Sequence, residues 1–175
     1  MGGAQDIPLN DTGRQQAAEL ASELKQLPIQ LIVTSPLSRA LETAQIASAD
    51  MHISIIPSPD LIEVDRGDAG GMPRKEAEAK FSQVYKDWFE KSVEDSFDIR
   101  LPGGETKGAF VNRINTCLLD VCHTQPEEHI AISTHSGVIW NFFKFLVKTD
   151  NIDVNHCQIS KAIYLHDTGE FIATD

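Results

Sequence analysis

The chain has 175 residues, of which 41% are hydrophobic and 23% charged, and its formal net charge at pH 7 is −11. This length and composition suit a globular protein, and we predict a single domain over 1–175. The acidic balance argues against nucleic acid and anionic membranes as partners, because both attract basic surfaces. We find neither an apolar run long enough to span a bilayer nor a basic-then-apolar leader, so the sequence favours a cytoplasmic protein.

The first half of the chain alternates helical and strand patterns. Asn10 can cap a helix whose apolar residues recur at a spacing of three and four. The run IQLIVTS is apolar on both faces, which is typical of an internal parallel strand, and HISIIP predicts a second buried strand. Between these strands, Ser35 is the predicted N-cap of a second helix and Pro36 its first residue.

The second half continues this alternation. The glycine-bearing loop LIEVDRGDAGGMP leads into a helix rich in aromatic residues, and the loop DIRLPGGET leads into another helix. HIAIST predicts a strand that passes directly into a helix, and the C-terminal residues predict two strands around a turn at 167–169. Alternating strands and helices predict an α/β fold, here a three-layer α/β/α sandwich with a mostly parallel central sheet.

Two strand-to-helix junctions carry side chains suited to binding an anion. Ligands of such sheets bind at the carboxyl ends of the strands, where helix N-termini present free N–H groups. One junction places Arg39 in the first turn of a helix, where its charge opposes the helix dipole, and the other places His135 just after a strand. A bound phosphate would explain the arginine, because guanidinium binds phosphate in a bidentate fork. A solvated arginine and a structural histidine are the alternatives, but the two junctions together favour an anion pocket.

Glu63 is the third candidate, in a loop that also contains Asp60, Asp65 and Asp68. A carboxyl group held beside an anion is suited to act as a general acid. Composition alone does not choose among the four acids. The same carboxylates could hold a divalent cation, but the loop lacks the usual alternation of oxygen ligands, so we predict no metal site.

Five segments, taken in order, resemble the histidine phosphatase superfamily, which includes the cofactor-dependent phosphoglycerate mutases. TSPLSRALETA is similar to the family's Ser-Pro-Leu-x-Arg-Ala signature, and STHSGVI is similar to its second histidine motif. LIEVDRGDAGG looks like the Leu-x-Glu-x-x-x-Gly-x-x-x-Gly stretch. GGAQDIPLNDTGRQQA resembles the segment after the family's first loop, and PGGET resembles a turn before a later helix. The resemblance runs through almost the whole chain and implies a phosphoglycerate mutase-like fold.

The resemblance also assigns roles to residues of the predicted site. Arg39 would bind the transferring phosphoryl group, and His135 would donate a hydrogen bond to it as charge develops on its oxygens. Glu63 would protonate the leaving-group oxygen and then deprotonate the attacking water. Backbone groups of Gly3 and Ser136 would line the pocket, Ser136 standing where glycine is commoner in the family. No metal or organic cofactor is implied, because the phosphoryl group passes through a histidine.

The family's nucleophile has no counterpart in this sequence. In the family the first strand ends in Arg-His-Gly, and that histidine becomes phosphorylated. We therefore expect the first central strand to be missing and Met1 to be an internal methionine, through a wrongly assigned start or trimming rather than natural loss. The resemblance puts this strand beside the one ending at His135, so we expect a marginally stable monomer unless another segment or subunit fills the gap.

Three functions are compatible with these patterns. The first is a phosphatase that hydrolyses a small phosphomonoester through a phosphohistidine, of which this chain is an incomplete and inactive copy. The second is a catalytically inactive domain that binds phosphate, a phosphorylated metabolite or a partner protein, and an oligomer is compatible with either. The third is a mutase, which ranks lower because 71–104 offers essentially one helix and a loop to enclose a phosphoglycerate.

Overall fold

A computed structural model of the chain describes residues 2–91, 93–149, 152 and 154–174, so the prediction about Met1 lies outside the described residues. Its helices and strands alternate as the sequence predicts. The helices are α1 (Asp11–Leu24), α2 (Ser38–Ala47), α3 (Arg74–Glu90), α4 (Val93–Ser96), α5 (Lys107–Thr124) and α6 (Ser136–Asn141). The strands are β1 (Leu31–Thr34), β2 (Ser54–Pro57), β3 (Ile130–Ser133), β4 (Ala162–Leu165) and β5 (Glu170–Ala173).

The central sheet consists of three parallel strands in the order β2-β1-β3. β1 lies in the middle with all four residues buried, and Leu31 is in register with Ser54 on one side and Ile130 on the other. β4 and β5 pair antiparallel in a separate two-stranded sheet around the predicted turn. The predicted parallel sheet and C-terminal hairpin are therefore confirmed.

Helices cover both faces of the central sheet. Ile32 of β1 packs against Leu24 of α1 and against small residues of α2. Leu31 and Val33 face the opposite way and join a core cluster with α5 and α6. This division follows from the pleat of the strand, which sends alternate side chains to opposite faces. The predicted three-layer α/β/α arrangement is confirmed. No helix of the described ranges is long and apolar enough to cross a membrane.

The prediction that HISIIP forms a buried strand is wrong. β2 lies at the edge of the sheet, pairs with β1, and leaves the Ile56 side chain 41% exposed. Branched apolar residues favour the extended backbone of an edge strand as much as that of an internal strand, so the pattern does not separate the two.

α2 begins later than the sequence predicts. Ser35 is not its N-cap, because the backbone N–H of Ser35 continues the hydrogen-bond ladder with β3, and Pro36 lies in the turn before the helix. The helix begins at Ser38, and Leu37, in the N-cap position, has no side-chain oxygen. Asp6 supplies the missing cap: its Oδ1 accepts a hydrogen bond from the Ser38 N–H at 2.7 Å.

The N-terminal end of the first helix lies where the sequence predicts it. Asn10 caps α1 as predicted, and its side chain accepts a hydrogen bond from the N–H of Gly13. α1 ends at Leu24, four residues before Pro28. The helix that follows β3 is not a regular α-helix throughout. After α6 it continues as a wider π-helical turn over Phe142–Leu146.

β3 forms one edge of the central sheet. Within the described residues it pairs with β1 alone. The carbonyls of His129 and Ser133 accept hydrogen bonds from the β1 side, so the alternate peptide groups at Ile130 and Ile132 face away from β1. The family resemblance predicts a further strand on this outer side.

Candidate active site

The carboxyl ends of β1 and β3 bring Ser35 and His135 together. The Ser35 N–H donates to the Ser133 carbonyl at 2.9 Å, and His135 Nε2 lies 2.8 Å from Ser35 Oγ. Ser35 is fully buried and His135 is 7% exposed. Sequence reasoning selected His135 for this edge but missed Ser35 as its partner, because it assigned that serine to helix capping.

His135 is an uncharged imidazole at neutral pH. Burial lowers its pKa to about 3, and the positive charges of Arg39 and Arg113 act in the same direction. A neutral imidazole has one N–H donor and one acceptor nitrogen. It can therefore exchange a hydrogen bond with Ser35 or with a ligand without adding charge to the site.

Arg39 lies in the first turn of α2. Residues 2–10, the N-terminal segment before α1, cover its guanidinium. Arg39 Nη1 donates to the Gln5 carbonyl at 2.7 Å, and Nη2 donates to the Gly3 carbonyl at 2.8 Å. Burial lowers the pKa of Arg39, while the negative charges of Glu63 and Asp6 oppose that shift. Each terminal nitrogen of a guanidinium has a second N–H, so these bonds leave donors for a further acceptor.

Glu63 is tied to the residues that follow His135. Its Oε2 accepts a hydrogen bond from the Gly137 N–H at 2.9 Å, and its Oε1 accepts one from the Val64 N–H at the same distance. A Cβ on Gly137 would overlap the Glu63 carboxylate, so this position has no room for a side chain. The glycine after Ser136 is therefore required by the close approach of Glu63 to the first turn of α6.

α5 and the turn before it hold the Glu63 loop in place. Arg113 forms a two-pronged ion pair with Glu105, Nη2 to Oε1 at 2.7 Å and Nε to Oε2 at 3.0 Å. Arg113 also donates to the Asp60 carbonyl at 2.6 Å, and Glu105 accepts from the Asp65 N–H at 2.8 Å. Sequence reasoning missed Arg113, and it treated Glu105 only as part of a turn motif.

The four acids of the loop differ in burial. Glu63 is 7% exposed, whereas Asp60, Asp65 and Asp68 are exposed to solvent. Asp65 uses its side chain within the loop, accepting a hydrogen bond from the Gly67 N–H at 2.9 Å. In the part of the chain that the structure describes, no group of three or more His, Cys, Asp or Glu residues could hold a metal ion.

The structure brings the five predicted site residues to the same end of the sheet. Gly3 adopts a positive φ of 53°, accepts the bond from Arg39, and lies against the Val64 carbonyl next to Glu63. Ser136 is the exposed first residue of α6, directly after His135. Contacts thus run continuously from α2 through the N-terminal segment and the Glu63 loop to α6.

The other histidines lie elsewhere in the described residues. His52 and His129 precede strands, at the opposite end of the sheet. Tyr164 Oη of the hairpin lies 2.9 Å from His123 Nε2, and the rings of Tyr164 and His166 are 4.9 Å apart. His156 lines a separate surface cavity together with residues of α1.

The family model described as "Histidine phosphatase superfamily (branch 1)" matches residues 1–171. The chain belongs to this family. Among curated proteins it is 34% identical over 138 residues to the "Uncharacterized phosphatase PhoE" of Bacillus subtilis. That match covers 78% of this chain and 63% of the relative, so the chain spans less than two thirds of that relative's length.

Solved structures support the same fold for this histidine phosphatase chain. The alpha-ribazole phosphatase from Shigella flexneri is similar with a TM-score of 0.81 and 21% identity, covering 99% of this chain and 86% of that one. A mycobacterial glucosyl-3-phosphoglycerate phosphatase, solved as a complex with inorganic phosphate, is similar with a TM-score of 0.74 and 24% identity. That likeness covers 85% of this chain and 73% of the neighbour.

Proposed function

We propose that this chain carries the phosphate-binding and proton-transfer groups of a phosphatase that hydrolyses a small phosphomonoester. One observation carries the proposal: Arg39, Glu63 and His135 lie at the carboxyl ends of parallel strands and are connected through intervening residues, Arg39 to Gly3, Gly3 to the Val64 carbonyl, and Glu63 to the Gly137 N–H. Parallel sheets bind their ligands at this edge. The phosphate-bound mycobacterial phosphatase with the same fold adds support.

In this proposal each group has one task. Arg39 donates its remaining N–H groups to the phosphoryl oxygens, and the neutral His135 adds a hydrogen bond as negative charge develops on them. Glu63 transfers a proton to the leaving-group oxygen and later takes one from the attacking water. Backbone groups of Gly3 and Ser136 line the pocket. We propose phosphate or a small phosphorylated metabolite as the partner and the cytoplasm as the setting.

We propose that the phosphoryl group passes through a histidine before it reaches water, as the family resemblance implies. None of the six histidines of this sequence is assigned that nucleophilic role. Positioned groups without the nucleophile leave only residual catalysis. We therefore expect negligible phosphatase activity from the 175-residue chain itself.

A catalytically inactive domain that binds phosphate or a phosphorylated partner is the second candidate. The missing nucleophile favours it, as does the Arg39 guanidinium already held by the carbonyls of Gly3 and Gln5. Both candidates require phosphate to bind at the same place. They differ in whether the site transfers a phosphoryl group.

We expect inorganic phosphate to bind this site, which an NMR titration of the 175-residue chain can test. Phosphate should shift the amide resonances of Gly3, Ser136 and Gly137 together, and Arg39→Met should abolish the response. Arg14→Met, which removes an exposed arginine of α1, should leave it intact. Phosphate shifts confined to surface residues outside this site, or identical shifts in the Arg39→Met variant, would refute the proposed phosphate site.

A further inference from the structure

Ser35 and His135 share a buried hydrogen bond whose direction is set by their surroundings. His135 Nε2 lies 2.8 Å from Ser35 Oγ, and Ser35 is fully buried. A hydroxyl has one O–H to donate, and a neutral imidazole has one N–H and one acceptor nitrogen, so either group can be the donor of this pair. Buried polar hydrogens are nearly always paired, so the direction depends on where each hydrogen finds an acceptor.

A second hydrogen bond to Ser35 Oγ excludes one of the two directions. The Leu37 N–H, just before α2, donates to Ser35 Oγ at 3.3 Å. If His135 Nε2 donated as well, the oxygen would accept twice, and the buried O–H of Ser35 would have no acceptor among the described residues. A buried donor without an acceptor is strongly unfavourable. When Ser35 instead donates to Nε2, the hydroxyl hydrogen and the nitrogen lone pair are both used.

The ring proton of His135 then lies on Nδ1. The imidazole is neutral at pH 7 and carries only one such proton, because burial lowers its pKa to about 3. No hydrogen bond between described residues involves Nδ1. The unpaired side-chain atoms closed to solvent in the described structure belong to Arg66 and Glu127, so Nδ1 is not one of them. The Nδ1–H group is therefore the donor left for a ligand oxygen.

The main chain holds Ser35 in place for this bond. The Ser35 N–H donates to the Ser133 carbonyl at 2.9 Å, and Thr34 Oγ1 donates to the same carbonyl at 3.2 Å. Ser133 Oγ in turn donates to the Ala40 carbonyl of α2 at 3.0 Å. The hydroxyl of Ser35 thus meets His135 from a junction that is fixed on both sides, which avoids the entropy loss of ordering a mobile partner.

We propose that Ser35 is a positioning residue of the phosphatase site, whose hydroxyl fixes His135 in the Nδ1–H tautomer and so presents that N–H to the phosphoryl group. This inference rests on the proposed function, because it takes phosphate to bind at Arg39 and His135. It gives Ser35 a chemical task beyond its place in the turn before α2. A serine in this role orients the histidine and acts without touching the phosphate.

The tautomer of His135 can be measured in the free 175-residue chain at neutral pH. Ring nitrogen chemical shifts from long-range proton–nitrogen correlation spectra show which nitrogen carries the hydrogen, and the His135→Gln variant assigns the signals. We expect the Nδ1–H form in the wild type and a mixture of both tautomers in Ser35→Ala, because no O–H then faces Nε2. Thr34→Val is the matched control, since it removes another fully buried hydroxyl of this junction that has no hydrogen bond to His135, and it should keep the Nδ1–H form.

Phosphate titration then connects the tautomer to the site. With the ring in its observed orientation, only the Nδ1–H fraction of a variant can donate to phosphate, so the apparent dissociation constant rises by the inverse of that fraction. We expect Ser35→Ala to bind inorganic phosphate about threefold to tenfold more weakly, which corresponds to the loss of one neutral hydrogen bond. That factor should match the tautomer fraction measured in the free variant, and saturating phosphate should return the variant to the Nδ1–H form.

The possible outcomes separate this inference from the proposed function. An Nε2–H tautomer in the wild type would overturn the inference, whether or not Ser35→Ala folds, and so would a Ser35→Ala variant that keeps the Nδ1–H form. Weaker phosphate binding in Ser35→Ala without a change of tautomer would show that Ser35 only supports the fold, and would also overturn it. In each of these cases, Arg39-dependent binding of phosphate to the wild type would leave the proposed function standing. If phosphate does not bind the wild type, the proposed function fails, and the positioning role of Ser35 fails with it.

Discussion

At the scale of single residues, His135 shows how burial sets chemistry. Its ring is enclosed beside Ser35 and lies in the field of Arg39 and Arg113, so the protonated form is strongly disfavoured. A neutral imidazole can donate to a phosphoryl oxygen while the permanent positive charge remains on Arg39. The site thus divides charge and hydrogen bonding between two side chains.

This burial predicts a pH dependence of folding stability. The folded pKa of His135 is about 3, below its ordinary value of 6.5, so the unfolded chain takes up the proton first as the pH falls. The stabilising contribution of the neutral His135 is therefore fully present above pH 6.5 and is lost progressively as the pH falls toward 3. Between about pH 7.5 and about pH 5, we expect His135 to remove about 2 kcal/mol from the free energy of unfolding.

Urea unfolding at these two pH values measures the effect. His135→Gln, which does not titrate, should lose that much less stability over the same interval than the wild type does. His129→Gln, at an exposed histidine before β3, should behave like the wild type. A His135→Gln variant with the wild-type pH dependence would show that His135 is not held neutral.

At the scale of elements, α5 acts on the site through Arg113. This side chain joins Glu105 and the Asp60 carbonyl, and both belong to or bind the loop that carries Glu63. The side chains of Arg113 and Glu105 are 21% and 18% exposed, so their ion pair is shielded from water. We propose that Arg113 is a positioning residue, since it donates to the carbonyls of Asp60 at 2.6 Å and Glu63 at 3.5 Å and so acts on the site through this loop.

Arg113→Met should lower the free energy of unfolding by about 2–4 kcal/mol, because it leaves the Asp60 carbonyl without its side-chain donor and removes the charged partner of Glu105, which keeps only the bond from the Asp65 N–H. Arg14→Met is the matched control: Arg14 also pairs with two carboxylates, but its side chain is 45% exposed. Its loss should remain below about 1 kcal/mol. Urea unfolding at neutral pH measures the free energy of unfolding of both variants. Equal losses in Arg113→Met and Arg14→Met would contradict the assigned difference in burial.

At the scale of the whole molecule, the sequence predicts best those site residues whose proximity follows from the topology of the sheet. Parallel strands end at the same edge, so residues that follow β1 and β3 must lie near each other however the intervening chain runs. Arg39 and His135 are therefore found together, although 96 residues separate them in the sequence. Asn10 is predicted correctly for a different reason, because a helix cap depends only on its neighbours.

The remaining features depend on contacts between distant segments. Asp6 caps α2 from 32 residues away, which a local search for a capping residue next to that helix cannot find. The pairing of Arg113 with Glu105 likewise follows from how the loop packs against α5. The edge position of β2 depends on which strands are its neighbours, and its own residues do not contain that information.

Hydrolysis of p-nitrophenyl phosphate, measured with and without added imidazole, tests the proposed phosphatase site most directly. The 175-residue chain should release negligible p-nitrophenol alone. Free imidazole should restore measurable release by attacking phosphorus, expelling the phenol oxygen and leaving phosphoimidazole for water to hydrolyse. Arg39→Met should abolish the imidazole-dependent release, and Glu63→Gln should reduce it steeply. Turnover without imidazole that His135→Ala abolishes would contradict the assigned roles, and phosphate binding without any imidazole-dependent release would show that the chain is a binding domain.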